Sequence, residues 1–246
     1  MPSPDGPLGP LAGRLAAASL ALARRFAGGG TLWCWSPRWP HHARHVAVEF
    51  VHPVVVGARA FPAVAVVETD AVAALRHLVG PGDAIVVVGG SVEEVVPVLR
   101  RAPAWGVLTL WVGAGAGPAV ADHELALPGG DSAFHSGEVV LLYHLLWELT
   151  QVCFEHPGLL APAPAPVGEV CVTCSDAARL GEVVVTSPGD MATVRTAEGR
   201  EEIDTTLVGT LRAGDLVLVH AGTAIDVVAI DVVAVDVAAV DVVAVP

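Results

Sequence analysis

An alternating Pro/Ala run, Leu159-Leu160-Ala161-Pro162-Ala163-Pro164-Ala165-Pro166, sets the strongest limit on how this 246-residue chain folds. Proline fixes φ and carries no N–H, so prolines at every second position end both helix and ladder and leave a semi-rigid extended linker. The hydrophobic pattern changes across the run. Before it, apolar strand-like segments alternate with helical ones; after it, short Val/Leu/Thr runs are broken by Gly, Pro and Asp. The first pattern implies an α/β fold with a parallel sheet covered by helices, the second a small OB-like all-β barrel of about five strands. The chain therefore divides into an α/β part at residues 1–158, a linker at 159–168, a β-barrel at 169–228 and a tail at 229–246.

In the α/β part, Leu8–Phe26 reads as an Ala/Leu/Arg-rich helix opened by Pro10 and stopped by Gly28-Gly29-Gly30. Strands are expected at Thr31–Trp35, Phe61–Val67, Ala84–Val88 and Val107–Val112, with Phe61–Val67 buried. Helices are expected at His41–Val51, from the cap Asp70 to Val79, at Val95–Arg101 behind a Ser91/Glu94 capping box, and at Glu138–Phe154. Gly113-Ala114-Gly115-Ala116-Gly117 meets Pro118 and lacks the full dinucleotide fingerprint, so it reads as a loop. From Asp226 a five-residue Asp-led unit repeats to the end. An odd period keeps Asp on neither face of a strand, and on a helix each repeat turns it by about 140°. The tail is read as a low-complexity expansion.

Composition narrows the function classes. The net charge is -13 and all 13 basic residues are arginine, which argues against nucleic acid, because phosphate contacts need a basic face. No stretch of about 18 apolar residues is present, so no membrane span is expected. The apolar Leu11–Ala27 stretch contains Arg14, Arg24 and Arg25 and has no basic residue ahead of it, unlike a secretory signal. Four cysteines (Cys34, Cys153, Cys171, Cys174) are too few for a disulfide scaffold of this length, and a reducing cytoplasm is the expected setting.

Gly29-Gly30-Thr31-Leu32-Trp33, followed by Ala43-Arg44-His45-Val46-Ala47-Val48-Glu49-Phe50-Val51-His52-Pro53, resembles the sugar isomerase (SIS) domain, in particular the phosphoheptose isomerases. The resemblance spans roughly residues 8–157. It implies a metal, zinc by the donor types, held by His45 and Glu49 on one helix and His144 on the last. It also implies pairing of such domains into a homo-oligomer. The residues depart from the pattern in three places. The family's metal-binding Gln falls near Ser136. The first phosphate loop reads Trp35-Ser36-Pro37-Arg38-Trp39, where Pro offers no N–H and Trp fills space a phosphate needs. The second is reduced to Gly89-Gly90-Ser91, with Ser91 the one side chain left as a ligand-binding candidate. His41, His45, Glu49 and His52 are equally a polar helix face, and His144 equally a core histidine.

Cys171–Ile225, opening on Cys-x-x-Cys and closing on Gly214-Asp215-Leu216-Val217-Leu218-Val219-His220-Ala221-Gly222, resembles the HypC/HupF family of hydrogenase formation chaperones. That resemblance implies an accessory chaperone, not an enzyme. It would dock the [NiFe]-hydrogenase large-subunit precursor and a HypD-type iron–sulfur scaffold protein, and help assemble or deliver the Fe(CN)2CO group. Iron would be held transiently by a cysteine thiolate, Cys171 or Cys174, with His220 and Gly222 on the docking surface. A Cys-x-x-Cys pair is also half a zinc site or a dithiol motif, though no second pair follows and a βαβ context is missing. Two rival functions remain: a metal-dependent phosphosugar isomerase with an appended barrel, and a protein-binding scaffold that uses no metal.

Overall fold

The computed structural model describes residues 9–160 and 178–230. The α/β part runs α1 (Ala12–Ala27), β1 (Leu32–Trp35), α2 (Pro40–Val51), β2 (Ala63–Val66), α3 (Ala71–Leu78), β3 (Ala84–Val88), α4 (Val92–Leu99), β4 (Leu108–Ala114), β5 (His123–Leu127), α5 (Ser132–His135) and α6 (Glu138–Glu155). Its five strands are all parallel, in the order β2-β1-β3-β4-β5.

The pleat sorts each strand onto two cores. Leu32, Cys34, Val86, Val88, Leu110 and Val112 face α1, α2, α5 and α6. Trp35, Ile85, Val87 and Trp111 face α3, α4 and a short 3-10 turn at Ala102–Trp105. Burial on both faces is why these strands read as continuous apolar runs.

Local signals account for most boundaries. The Asp70 carboxylate accepts from the Ala73 N–H at the start of α3, and Ser91 with Glu94 forms the capping box of α4. That box places the start of α4 at Val92, earlier than the expected Val95. Helix α1 begins at Ala12, because Gly9–Leu11, with Pro10, forms a 3-10 turn ahead of it. The Phe61–Val67 segment is shorter than expected and only partly buried: β2 is an edge strand that pairs with β1 alone, and among its residues only Val66 is buried. Strand β5 and helix α5 have no counterpart in the sequence reading.

Beyond the linker, β6 (Arg179–Ser187), β7 (Met191–Thr196), β8 (Gly199–Asp204), β9 (Leu216–His220) and β10 (Thr223–Val228) close into a barrel in the order β10-β8-β7-β6-β9. Val183, Ala192, Val194, Ile203, Val217, Val219 and Ala224 fill its interior. The first unit of the tail is not a free repeat. Asp226-Val227-Val228 is part of β10, past a register shift at Ala224/Asp226, and the Ala229 carbonyl accepts from the Arg100 guanidinium. Residues 161–177, which include most of the linker, and the repeats from Asp231 onward lie outside the described residues. No helix among the described residues is long and apolar enough to cross a membrane.

The barrel is seated on the α3/α4 face of the sheet. Glu182 and Leu216 are cross-strand partners whose side chains point away from the barrel interior, yet both are buried, because the α/β part covers them. The Glu182 carboxylate is fully engaged. Its Oε1 accepts from Arg76 Nε (3.0 Å), Arg76 Nη2 (2.6 Å) and Arg101 Nε (3.1 Å), and its Oε2 accepts from Trp105 Nε1 (2.7 Å). Arg195 of β7 donates to the carbonyls of Arg76 and Val79 and lies 5.8 Å from the Trp105 ring. Removing one partner of such a buried pair strands the others. Glu182→Ala is therefore expected to cost about 3–5 kcal/mol in urea unfolding of the full chain; a loss below about 1 kcal/mol would contradict this description of the interface.

Candidate metal centre

On α2, His45 and Glu49 lie one turn apart and so share a helix face. Helix α6 packs against this face and brings His144 to it. His45 Nε2 lies 3.2 Å and His144 Nε2 lies 3.4 Å from the same carboxylate oxygen, Glu49 Oε1. One ligand atom from each of the three residues fits within a span of 4.8 Å. Two bonds of about 2.0–2.1 Å at a tetrahedral angle place ligand atoms about 3.3 Å apart, so the carboxylate–imidazole distances suit zinc. All three side chains are half-buried, and three protein ligands leave coordination positions open.

A second layer fixes the imidazole of His45. The Tyr143 hydroxyl lies 2.8 Å from His45 Nδ1, and His42 Nδ1 lies 3.3 Å from the same hydroxyl. Burial, followed by the Glu49 charge, pushes the Tyr143 phenol upward, so it keeps its proton. Burial, followed by the charges of His41 and His45, pushes His42 down to about 4, so at neutral pH it is uncharged. With no metal, His45 Nε2–H donates to Glu49 and Nδ1 accepts from the Tyr143 hydroxyl. For His45 Nε2 to ligate a metal, its proton must sit on Nδ1 and be donated to the Tyr143 oxygen, with Tyr143 O–H turned to His42, an exchange the same contacts permit. Neither Tyr143 nor His42 stands out as a site residue from the sequence pattern alone. The one signal is that Tyr143 adjoins His144 and is the only tyrosine in the chain.

The fourth ligand of the isomerase pattern is missing among the described residues. Ser136 directs its hydroxyl to Glu138 Oε2 at 2.9 Å. Gln151, the only glutamine, spends its amide on both backbone groups of Arg59. The phosphate positions are also occupied. Trp39 stacks on Phe134 at 4.0 Å and lies so close to Gly89 that a Cβ there would meet both rings, while Pro37 closes on Gly90. Ser91 is committed to its capping box. The cleft of about 530 Å³ beside these loops is lined by Trp35, Pro37, Glu68, Asp70 and Glu94 among others, a surface that repels phosphate.

In the barrel, the Gly-Asp and His-x-Gly motifs define turns. Gly214, at φ 93°, donates its N–H to the Val183 carbonyl, and Val183 N–H donates to the Asp215 carbonyl, which locks the strand bearing Glu182. Ala221 and Gly222, both at positive φ, form the two-residue hairpin between β9 and β10. The Gly222 carbonyl accepts from Asp204 N–H and helps close the barrel. His220 stands exposed at that end. Cys171 and Cys174 lie outside the described residues. Cys34 and Cys153 are buried, and burial pushes both thiols upward, away from the thiolate form.

Two comparisons bear on these halves. Residues 169–239 match the HupF/HypC family. Solved structures similar to the α/β part include a phosphoheptose isomerase from Francisella tularensis, at 19% identity over 57% of this chain and 86% of that one, with a TM-score of 0.48. A phosphoheptose isomerase from Neisseria gonorrhoeae matches at 18% identity over 58% and 87%, again at 0.48. No curated protein matches the chain.

Two outcomes follow from the geometry. The purified chain is expected to bind one zinc ion through the α2/α6 cluster. His144→Ala and Glu49→Ala should abolish that binding, while Tyr143→Phe weakens it about 10–100-fold, as read by competition with a chromogenic chelator; undiminished binding in all three variants would place the metal elsewhere. For His42, the folded pKa of about 4 lies below the ordinary 6.5, so the unfolded chain takes up the proton first. Stability should therefore fall as pH drops from about 6.5 to 4 and gain nothing from this group at higher pH. His42→Asn should flatten that part of a stability–pH curve.

Proposed function

We propose that this protein is an accessory factor in [NiFe]-hydrogenase maturation, a chaperone that docks the large-subunit precursor and a HypD-type iron–sulfur scaffold. The observation that carries the reading is the match of residues 169–239 to the HupF/HypC family, over a segment whose described residues form a closed five-stranded barrel. The iron of the Fe(CN)2CO group is cargo, received on a cysteine thiolate and released by ligand exchange. Cys171 and Cys174 fall inside the matched segment and directly ahead of β6, and the two described cysteines are buried. His220, exposed on the barrel end beside the Ala221-Gly222 hairpin, belongs to the docking surface. The work is done where hydrogenase subunits are assembled, in the cytoplasm.

A second reading rests on the α2/α6 cluster: a metal-dependent isomerase in the α/β part. Zinc there would polarise a substrate carbonyl. His45, Glu49 and His144 would hold it, and Tyr143 with His42 would keep His45 in its ligating tautomer. Phosphosugars are disfavoured as substrates by the Trp39–Phe134 stack over Gly89 and by the acidic cleft beside it.

Complementation of a hydrogenase-producing host that lacks its own factor of this type separates the readings. Loss of hydrogenase activity with Cys171→Ala or Cys174→Ala, and its retention with His144→Ala, is the expected result. Activity that survives the double cysteine variant would exclude thiol transfer of iron. Turnover of a heptose phosphate that vanishes with His45→Ala would establish the isomerase instead.

A further inference from the structure

At the junction of the two halves lies a cavity of about 230 Å³ that neither functional reading uses. Arg76 and His77 line it from α3, and Glu182, Arg195, Arg200 and Gly214 line it from the barrel side. Three arginines thus face one carboxylate, in a chain whose net charge is -13.

That carboxylate has no capacity left. Both Glu182 oxygens are taken by Arg76, Arg101 and Trp105. Arg195 spends one N–H of Nη1 and one of Nη2 on two backbone carbonyls, which cancels no charge and uses two of its five donors. Its environment is unfavourable to a cation: burial, with the like charges of Arg200 and Arg76, holds its guanidinium below the usual range despite Glu182 and Asp83. Asp83 itself is engaged elsewhere, by the N–H groups of Thr31, Trp33 and Gly80. Among the described residues, no hydrogen bond or ion pair engages the Arg200 side chain.

We propose that this cavity binds an oxyanion of the phosphate class, gripped between Arg76 of the α/β part and Arg195 and Arg200 of the barrel. Guanidinium forks match such an anion in geometry, and a dianion balances the excess charge that Glu182 leaves. At about 30 Å³ per water the cavity of about 230 Å³ holds roughly eight water volumes, room for one phosphate with part of its hydration shell. The anion bridges both halves, so binding it tightens their junction. The site lies on the α3 side of the sheet, opposite the His45/Glu49/His144 cluster, and stands independently of the hydrogenase reading.

The test is equilibrium dialysis of the full chain against radiolabelled inorganic phosphate. A chelator is present throughout, so that no metal at the α2/α6 cluster contributes. Arg200→Gln is the principal variant, because Arg200 is exposed and takes no part in the Glu182 network; circular dichroism checks that it folds. One saturable phosphate per chain, bound at least tenfold more weakly by Arg200→Gln and unchanged in Arg38→Gln, is expected. Ribose 5-phosphate in place of inorganic phosphate separates the sources: tighter binding identifies a phosphate group carried on a larger molecule, equal binding the free ion. No saturable binding, or equal binding by wild type and Arg200→Gln, would overturn the proposal.

Discussion

The buried carboxylate of Glu182 fixes how the two halves of this protein sit together. An outward-facing glutamate on a small barrel normally belongs in water. Here Arg76, Arg101 and Trp105 replace that water at 2.6–3.1 Å, and the exchange is tolerable only because all four donors are preplaced by α3, by the end of α4 and by the turn that follows it. Leu216, its cross-strand partner, contributes the apolar complement by joining the core that contains Trp105, Val79 and Leu99. A polar contact of this kind gives direction to a docking that apolar burial alone would leave loose. It also explains why the Gly214-Asp215 turn matters: that turn hydrogen-bonds Val183 and so sets the strand on which Glu182 sits.

The sheet keeps two kinds of chemistry apart. The barrel occupies the α3/α4 face, and the histidine–glutamate cluster lies on the opposite face between α2 and α6. Each face has its own core, and the strands between them are buried on both sides. A metal ion on one face and the docked barrel on the other would therefore be compatible in a single chain. Trp39, Phe134 and Pro37 fill the positions of the phosphate loops in the isomerase pattern, while His45, Glu49 and His144 remain close enough together to hold a metal.

Much of this was legible in the sequence, for local reasons. Asp70 and the Ser91/Glu94 pair announce their helices through capping, and i,i+4 spacing puts His45 and Glu49 together. The resemblance to the isomerases then supplied His144. Strand β5 escaped notice because His123-Glu124-Leu125-Ala126-Leu127 mixes polar residues into a short run, and β2 was read as buried because an Ala/Val edge strand has the same composition as a central one. The interface was illegible for a different reason. Glu182, Arg76, Arg101 and Trp105 are scattered through the chain, and nothing in a glutamate's immediate neighbours marks it for burial. The same holds for Tyr143 and His42, which touch His45 only once α2 and α6 have packed.

The assembly-factor reading is tested most directly by infrared spectroscopy on the protein purified anaerobically from a hydrogenase-producing cell. The account predicts CN and CO stretching bands in the wild-type sample, together with co-purified large-subunit precursor, and loss of the bands when Cys171 and Cys174 are both replaced by alanine. A wild-type sample with neither bands nor precursor would contradict it.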